Sequence, residues 1–177
     1  AIEKRRTIRL FSQGATEEQL RRILLAGSKA PSSGGRQPWE FILIDDPEIV
    51  QRLAEIKYKL NRKFVPRPGE TQDWVEMRAM NQLRGFRNAS VIAICTTTGL
   101  ARNGWLTVEA MSLAAVAEGL GSNIISYGDN AKKEVEELLG IPEGYELTCI
   151  LKIGVPREEG APRNWRPESS WLHRNKF

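Results

Sequence analysis

Pro31-Ser32-Ser33-Gly34-Gly35-Arg36-Gln37-Pro38-Trp39 joins a segment patterned as a helix to one patterned as a strand. Irregular backbone held between rigid elements is a common place for a ligand. The prolines stiffen both ends, and Gly34-Gly35 opens backbone shapes closed to other residues. Ser32 and Ser33 add hydroxyls, and the glycines leave backbone N–H groups approachable. The combination suits a planar ligand with a polar edge; on these residues alone, a plain surface loop fits equally well.

Upstream, Thr16-Glu17-Glu18-Gln19 has the form of a capping box, with Leu20, Ile23 and Leu24 on one helical face running to about Ala30. Downstream, Glu40-Phe41-Ile42-Leu43-Ile44 reads as a strand buried on both sides. Asp46-Pro47 opens a second helix whose stripe is Ile49, Leu53 and Ile56. From Lys57 the pattern breaks, and residues 57–72 read as a mobile excursion, either a lid over a site or a loop of no special purpose. A helix over about 73–86 carries Asn81, Gln82 and Arg84 near its end. Then follow a strand over 90–97, a helix over 107–118 that is apolar on most sides and stopped by Gly119-Leu120-Gly121, an extended piece over 123–127 and a helix over 132–139. Residues 145–153 form a further strand. The tail, 156–177, sets Trp165, Trp171 and Phe177 among Arg163, Arg166 and Arg174, a composition that suits docking on a partner subunit better than disorder.

The chain has 177 residues, the size of one domain. Lys and Arg number 26 against 22 Asp and Glu, and the excess is spread rather than clustered, which argues against a nucleic-acid surface. No apolar run reaches membrane-spanning length, and the N-terminal segment is charged rather than signal-like. Cys95 and Cys149 sit in apolar runs, which fits buried free thiols and a reducing cytoplasm. The single histidine, His173, lies in the tail, so Ser–His or Cys–His catalysis has little support. No HxxxH or CxxC spacing suggests a metal. The chain carries binding groups without an evident acid, base or nucleophile, as expected when a cofactor supplies the chemistry. Arg5-Arg6-Thr7-Ile8-Arg9 packs cations around a hydroxyl and reads as an anion clamp or as a solvated basic leader.

Taken together, these motifs resemble the nitroreductase family of flavin enzymes. The likeness rests on Arg5–Arg9, on Pro31-Ser32-Ser33 with Gln37-Pro38-Trp39, and on Leu113-Ala114-Ala115 with Gly119-Leu120-Gly121. It continues through Glu137-Leu138-Leu139-Gly140-Ile141-Pro142 to Arg166-Pro167 and spans nearly the whole chain. It implies a single α+β domain over 1–177, with a central mixed, mainly antiparallel sheet flanked by helices. It also implies a homodimer holding FMN at the subunit interface, with the C-terminal tail extending onto the partner. By resemblance, Arg5, Arg6 and Thr7 hold the FMN phosphate and ribityl end, and Arg9 approaches the pyrimidine edge. Pro31, Ser32, Ser33 and Gly35 line the ring from the other subunit. Ser126, Tyr127 and Gly128 pass the N5 side, Gln82 or its neighbour Asn81 meets the pyrimidine edge, and Arg166 with Arg163 returns to the phosphate.

Two departures stand out: Gly35 replaces the family's usual Asn, and Arg36 its usual Ser. The implied activity is ping-pong transfer of hydride from NADH or NADPH through flavin N5 to an electron-poor acceptor such as a nitroaromatic or quinone. Within the family, a specialised reaction (reductive dehalogenation or flavin cleavage) is the alternative. Outside it, a flavin-binding module without catalysis is the competing expectation.

Overall fold

The computed structural model describes residues 1–176; Phe177, one of the aromatics expected to dock the tail, lies outside the described residues. The chain runs β1 (Phe11–Gly14), α1 (Glu17–Ser28), β2 (Trp39–Ile44), α2 (Pro47–Asn61), α3 (Gln72–Arg84) and β3 (Ser90–Thr97). It continues through α4 (Ala101–Ala117), β4 (Gly121–Ile125), α5 (Asp129–Leu138) and β5 (Tyr145–Pro156).

Every ladder between these strands is antiparallel. The parallel element is an isolated bridge between Thr7 and Ser122. The long β5 is the axis of the sheet. Its Tyr145–Ile153 stretch pairs with β3, and its Ile150–Gly154 stretch pairs with β4 on the opposite edge. Beyond the start of β3, β1 takes up the end of β5, with Gly14 opposite Gly154 and Phe11 opposite Pro156. This is the expected α+β architecture. Side chains of β3 and β5 alternate between two cores. Ile92, Ile94, Leu151 and Ile153 pack with Leu20, Ile23, Val108 and Met111 of α1 and α4. Val91, Ala93 and Ile150 pack with Leu53, Ile56 and Val135 of α2 and α5. Each fully buried Leu, Ile or Val adds about 1.5–3 kcal/mol relative to exposure.

The helix starts follow local chemistry. The Thr16 hydroxyl accepts from Gln19 N at 3.2 Å while the Gln19 side chain accepts from Thr16 N at 3.0 Å, the reciprocal box expected. Asp46 Oδ1 accepts from Glu48 N at 2.8 Å with Pro47 in the first turn. The last helix-to-strand approach is close as well: a Cβ on Gly104 of α4 would stand 2.5 Å from Thr148 Oγ1 of β5.

Several local expectations are corrected. β2 lies at the sheet edge and is not buried on both sides: Leu43 is 46% exposed. Its apolar run packs on one neighbour only, β3. α2 continues through Lys57 to Asn61, so the excursion begins at residue 62, five residues later than its charge-rich composition suggests. α3 is capped by Thr71, whose hydroxyl accepts from Trp74 N. α4 starts at Ala101 rather than Thr107, and its added first turns carry Trp105 and Leu106, which remain nearly half exposed. The basic N-terminal stretch gives way to β1, a bulged strand whose shortness hides it in the sequence.

Candidate functional site

A cavity of about 750 Å³ opens beside the ends of α2, α3 and β4. That lies within the roughly 300–1,000 Å³ usual for small-molecule sites. Arg9, Gln82 and Ser126, each expected from the family resemblance, meet in its lining.

Arg9 is placed by backbone. Ile8 N donates to Ser122 O at 3.0 Å, and Gly121 leaves room for the Ile8 side chain, which a Cβ would meet at 2.6 Å. On the far side, Glu158 Oε1 accepts from Arg9 N at 2.5 Å and from Leu10 N at 3.2 Å. Arg157 N then donates to Leu10 O at 3.0 Å. The arm is thereby held against β4 on one side and the segment after β5 on the other.

Gln82, expected at the pyrimidine edge by resemblance, is buried on α3 and donates from Nε2 to Asn123 Oδ1 at 3.0 Å. This pair forms part of the cavity wall. Lys57 donates from Nζ to Ser126 O at 2.7 Å, and its ammonium lies 5.6 Å from the Tyr127 ring centre. Burial lowers the Lys57 pKa, as expected for a cation without an anionic partner. Four residues on, Asn61 also lines the cavity, and its Oδ1 is buried without a hydrogen-bond partner. Arg78 completes the wall but is held by Glu70 through two bonds of 2.8 Å. The lining contains Arg9, Lys57, Arg67 and Arg78 and no Asp or Glu. Such a cavity favours a ligand with acceptor or anionic edges.

The segment over 62–71 is tied down rather than loose. Glu70 Oε2 accepts from Arg67 N, Gln72 Nε2 donates to Arg62 O, and Arg62 pairs with Glu76, which also accepts from the Tyr58 hydroxyl. Its Phe64 and Val65 reach the cavity yet stay largely exposed.

Asn81, the alternative to Gln82, also lines the cavity, and the other expected residues lie outside it. Arg5, Arg6 and Thr7 continue the arm: Arg6 Nη1 donates to Glu3 O and Arg5 O, and Thr7 bridges β4. Pro31, Ser32, Ser33 and Gly35 form a turn: the Ser32 hydroxyl accepts from Gln37 N, and Ser33 N donates to Asn103 Oδ1, both at 2.9 Å. Gly34 and Gly35 adopt φ of 63° and 67°, the left-handed region that glycine enters freely. Tyr127 turns its ring into the core and donates from its hydroxyl to Leu53 O at 3.2 Å. Gly128 caps α5 with open space where a Cβ would be. Arg163 stacks 5.0 Å from the Trp165 ring, and Arg166 O accepts from Trp171 Nε1; both arginines are exposed.

Lys57, Asn61 and Asn123 were missed by sequence reasoning. So was Lys152 of β5, fully buried with no partner for its Nζ. Its signal was a single charge inside Cys149-Ile150-Leu151-Lys152-Ile153. Among the described residues no cluster of His, Cys, Asp or Glu could hold a metal, and no helix is long and apolar enough to cross a membrane.

The chain is 28% identical to an FMN-dependent nitroreductase of Clostridium difficile R20291, whose solved structure matches with a TM-score of 0.77 over 99% of this chain and 97% of that one. It is 26% identical to an iodotyrosine deiodinase of Thermotoga neapolitana over 92% of this chain and 91% of the relative. It is 25% identical to an NADH dehydrogenase of Thermus thermophilus over 94% and 90%. These relatives differ in the activities their names state, and each alignment covers nine-tenths or more of both chains. Residues 2–155 match the sequence profile of the nitroreductase family, from the arm that carries Arg9 to the strand that carries Lys152, and the chain therefore belongs to that family.

Proposed function

We propose that this chain is an FMN-dependent oxidoreductase that takes hydride from NADH or NADPH and passes it to an electron-poor acceptor. The convergence of Arg9, Gln82 and Ser126 on one carboxylate-free cavity is the observation that supports it best. The residues present fit FMN. The buried, unpartnered Asn61 Oδ1 is available to a donor, the cations suit the flavin's acceptor edge, and Gly128 leaves open backbone. When bound, FMN supplies hydride acceptance at N5.

The protein's part is orientation and electrostatics. Arg9 stabilises negative charge at the pyrimidine edge, and the Gln82–Asn123 pair presents a fixed amide there. Lys57 pins the Ser126 carbonyl and so fixes the backbone that faces the N5 side. Arg5, Arg6 and Thr7 hold the phosphate, with Arg163 and Arg166 returning to it. Phe64 and Val65 exclude water when the acceptor is stacked. Pro31, Ser32, Ser33 and Gly35 lie outside the cavity of their own chain, which accords with their serving a partner's site in a homodimer. The half-exposed Trp105 and Leu106 of α4 and the exposed Trp165, Trp171 and Leu172 of the tail supply apolar surface for that interface.

A visible spectrum of the purified protein tests the reading, followed by NADH or NADPH addition under nitrogen. Yellow protein that bleaches and regains colour with a quinone supports it. Colourless protein that ignores added FMN refutes it, and bound flavin that neither nicotinamide bleaches points to a binding module instead. A second reading, reductive dehalogenation, is favoured by the similarity to a deiodinase and by the Phe64–Arg67 segment at the cavity. Comparing turnover of nitrofurazone, quinones and halogenated phenols separates the two.

A further inference from the structure

Lys152 is the most anomalous charge in the molecule. It sits mid-strand in β5 with no exposed surface, and its Nζ has no hydrogen-bond partner. The ammonium lies 4.7 Å from the Phe86 ring centre and 5.7 Å from that of Phe11. Two ring faces offer a cation some attraction but no acceptor. A buried lysine costs stability, and an apolar residue would pack in the same place. Something other than folding is then the natural reason for an amine here.

Its position suggests what. In the sheet register Lys152 stands directly opposite Asn123 of β4, and directly opposed residues share a face. Asn123 holds Gln82 and lines the cavity. A Cβ placed on Gly85, just past α3, would meet Lys152 Nζ at 2.7 Å and Arg9 O at 2.0 Å, so the amine and the Arg9 carbonyl share one side of that glycine. Lys152 is therefore one residue layer beneath the Arg9–Gln82–Asn123 wall. The charges that act on it are Arg9, which disfavours its protonation, and Glu158, which favours it. β3 contributes Val91, the end of α3 contributes Gly85 and Phe86, and β1 contributes Phe11, none of them ionisable.

We propose that Lys152 is a positioning residue for charge: its amine takes a proton from solvent when the FMN at the neighbouring wall is reduced, and gives it back on reoxidation. This rests on the FMN reading of the cavity. The balance is simple. Hydride leaves the nicotinamide for the flavin, which gains two electrons and one proton and becomes anionic at its pyrimidine edge. The new negative charge favours ammonium over amine at Lys152, which binds one proton from water. Burial, the largest influence, with Arg9 second, pushes this amine down from 10.5 to about 7, so it is poised to change state near neutrality. Linkage is reciprocal: reduction promotes protonation, and protonation makes the flavin easier to reduce.

The test is the midpoint potential of bound FMN from about pH 6 to about pH 9, the range in which a depressed lysine titrates. It is measured at equilibrium with redox dyes for the wild type, Lys152→Met and Lys152→Gln. The slope counts protons taken up with each electron pair. The wild type should take up close to one more proton per flavin than either variant above neutrality, while all three bind FMN. A purely structural Lys152 would leave the slope unmoved. Equal proton counts in FMN-loaded wild type and variants overturn the assignment while leaving the FMN reading intact. A wild-type protein that binds no FMN refutes that reading, and with it this role for Lys152.

Discussion

Replacing Lys152 by Met should make the protein without cofactor more stable, and by an amount that depends on pH. The unfolded chain carries this lysine with a pKa of 10.5, the folded chain with one of about 7. Between those values the unfolded state binds more protons than the folded one, so folding stability rises with pH through that window, by about 1.4 kcal/mol per pH unit. Below it both states are protonated and the full cost, about 4–5 kcal/mol, is present; above it both are neutral and the cost is gone. At pH 7 the buried amine costs about 4 kcal/mol, and at pH 9 about 2 kcal/mol. Methionine has similar length, carries no charge and can use the two aromatic contacts. Urea unfolding at fixed chain concentration should therefore find Lys152→Met more stable by roughly 2–4 kcal/mol at pH 7, the gap narrowing toward pH 10. A variant less stable than wild type at pH 7, or a gap independent of pH, would refute the reasoning, because either result means the ammonium is solvated or paired in the folded state.

Arg9→Ala should weaken FMN binding about 10- to 100-fold, the loss of one charge-assisted contact of about 1.5–3 kcal/mol, with an unchanged circular dichroism spectrum; quenching of flavin fluorescence measures it. Gly85→Ala should destabilise by at least about 1–3 kcal/mol, since its Cβ would meet the Arg9 carbonyl at 2.0 Å and that backbone is bonded in place; a thermal melt reads it. Leu106→Glu, on the half-exposed face of α4, should leave the fold intact and, if that face joins two copies, yield monomers in sedimentation. Cys95 and Cys149 should resist a thiol reagent until the protein unfolds, because both are buried and burial raises both thiols, Cys95 to about 11.

Much of the fold was legible because local chemistry and burial agree. Thr16 and Asp46 cap the helices that their sequences announce, and Gly119 ends α4 with φ of 76° as a C′ glycine should. Where sequence reading failed, the deciding influence was tertiary. Leu100 starts α4 without any side-chain cap, so nothing local marks Ala101. Lys57–Asn61 looks like loop because its charges are read as solvated, whereas Lys57 and Asn61 turn into a cavity. Phe41–Ile44 looks like a central strand because its apolar run gives no sign of which edge lacks a neighbour. Of the cavity lining, Arg9, Gln82 and Ser126 were expected from the family resemblance. Asn123 was not, because its partner lies 41 residues away in sequence. Lys152 needed only the observation that a lone cation interrupts an otherwise apolar strand.

Glu158 accepts the N–H groups of Arg9 and Leu10 across 149 and 148 residues. A growing polypeptide leaves the ribosome from its amino end, so the arm that carries Arg9 must wait until residue 158 has been made before its anchor exists. β2 and β3 can pair earlier, but β5, the axis of the sheet, is completed only just before Glu158. The setting of Arg9 is thus deferred until residue 158 is made, and a product cut short just before it would keep its strands yet lack the clasp on the Arg9 backbone.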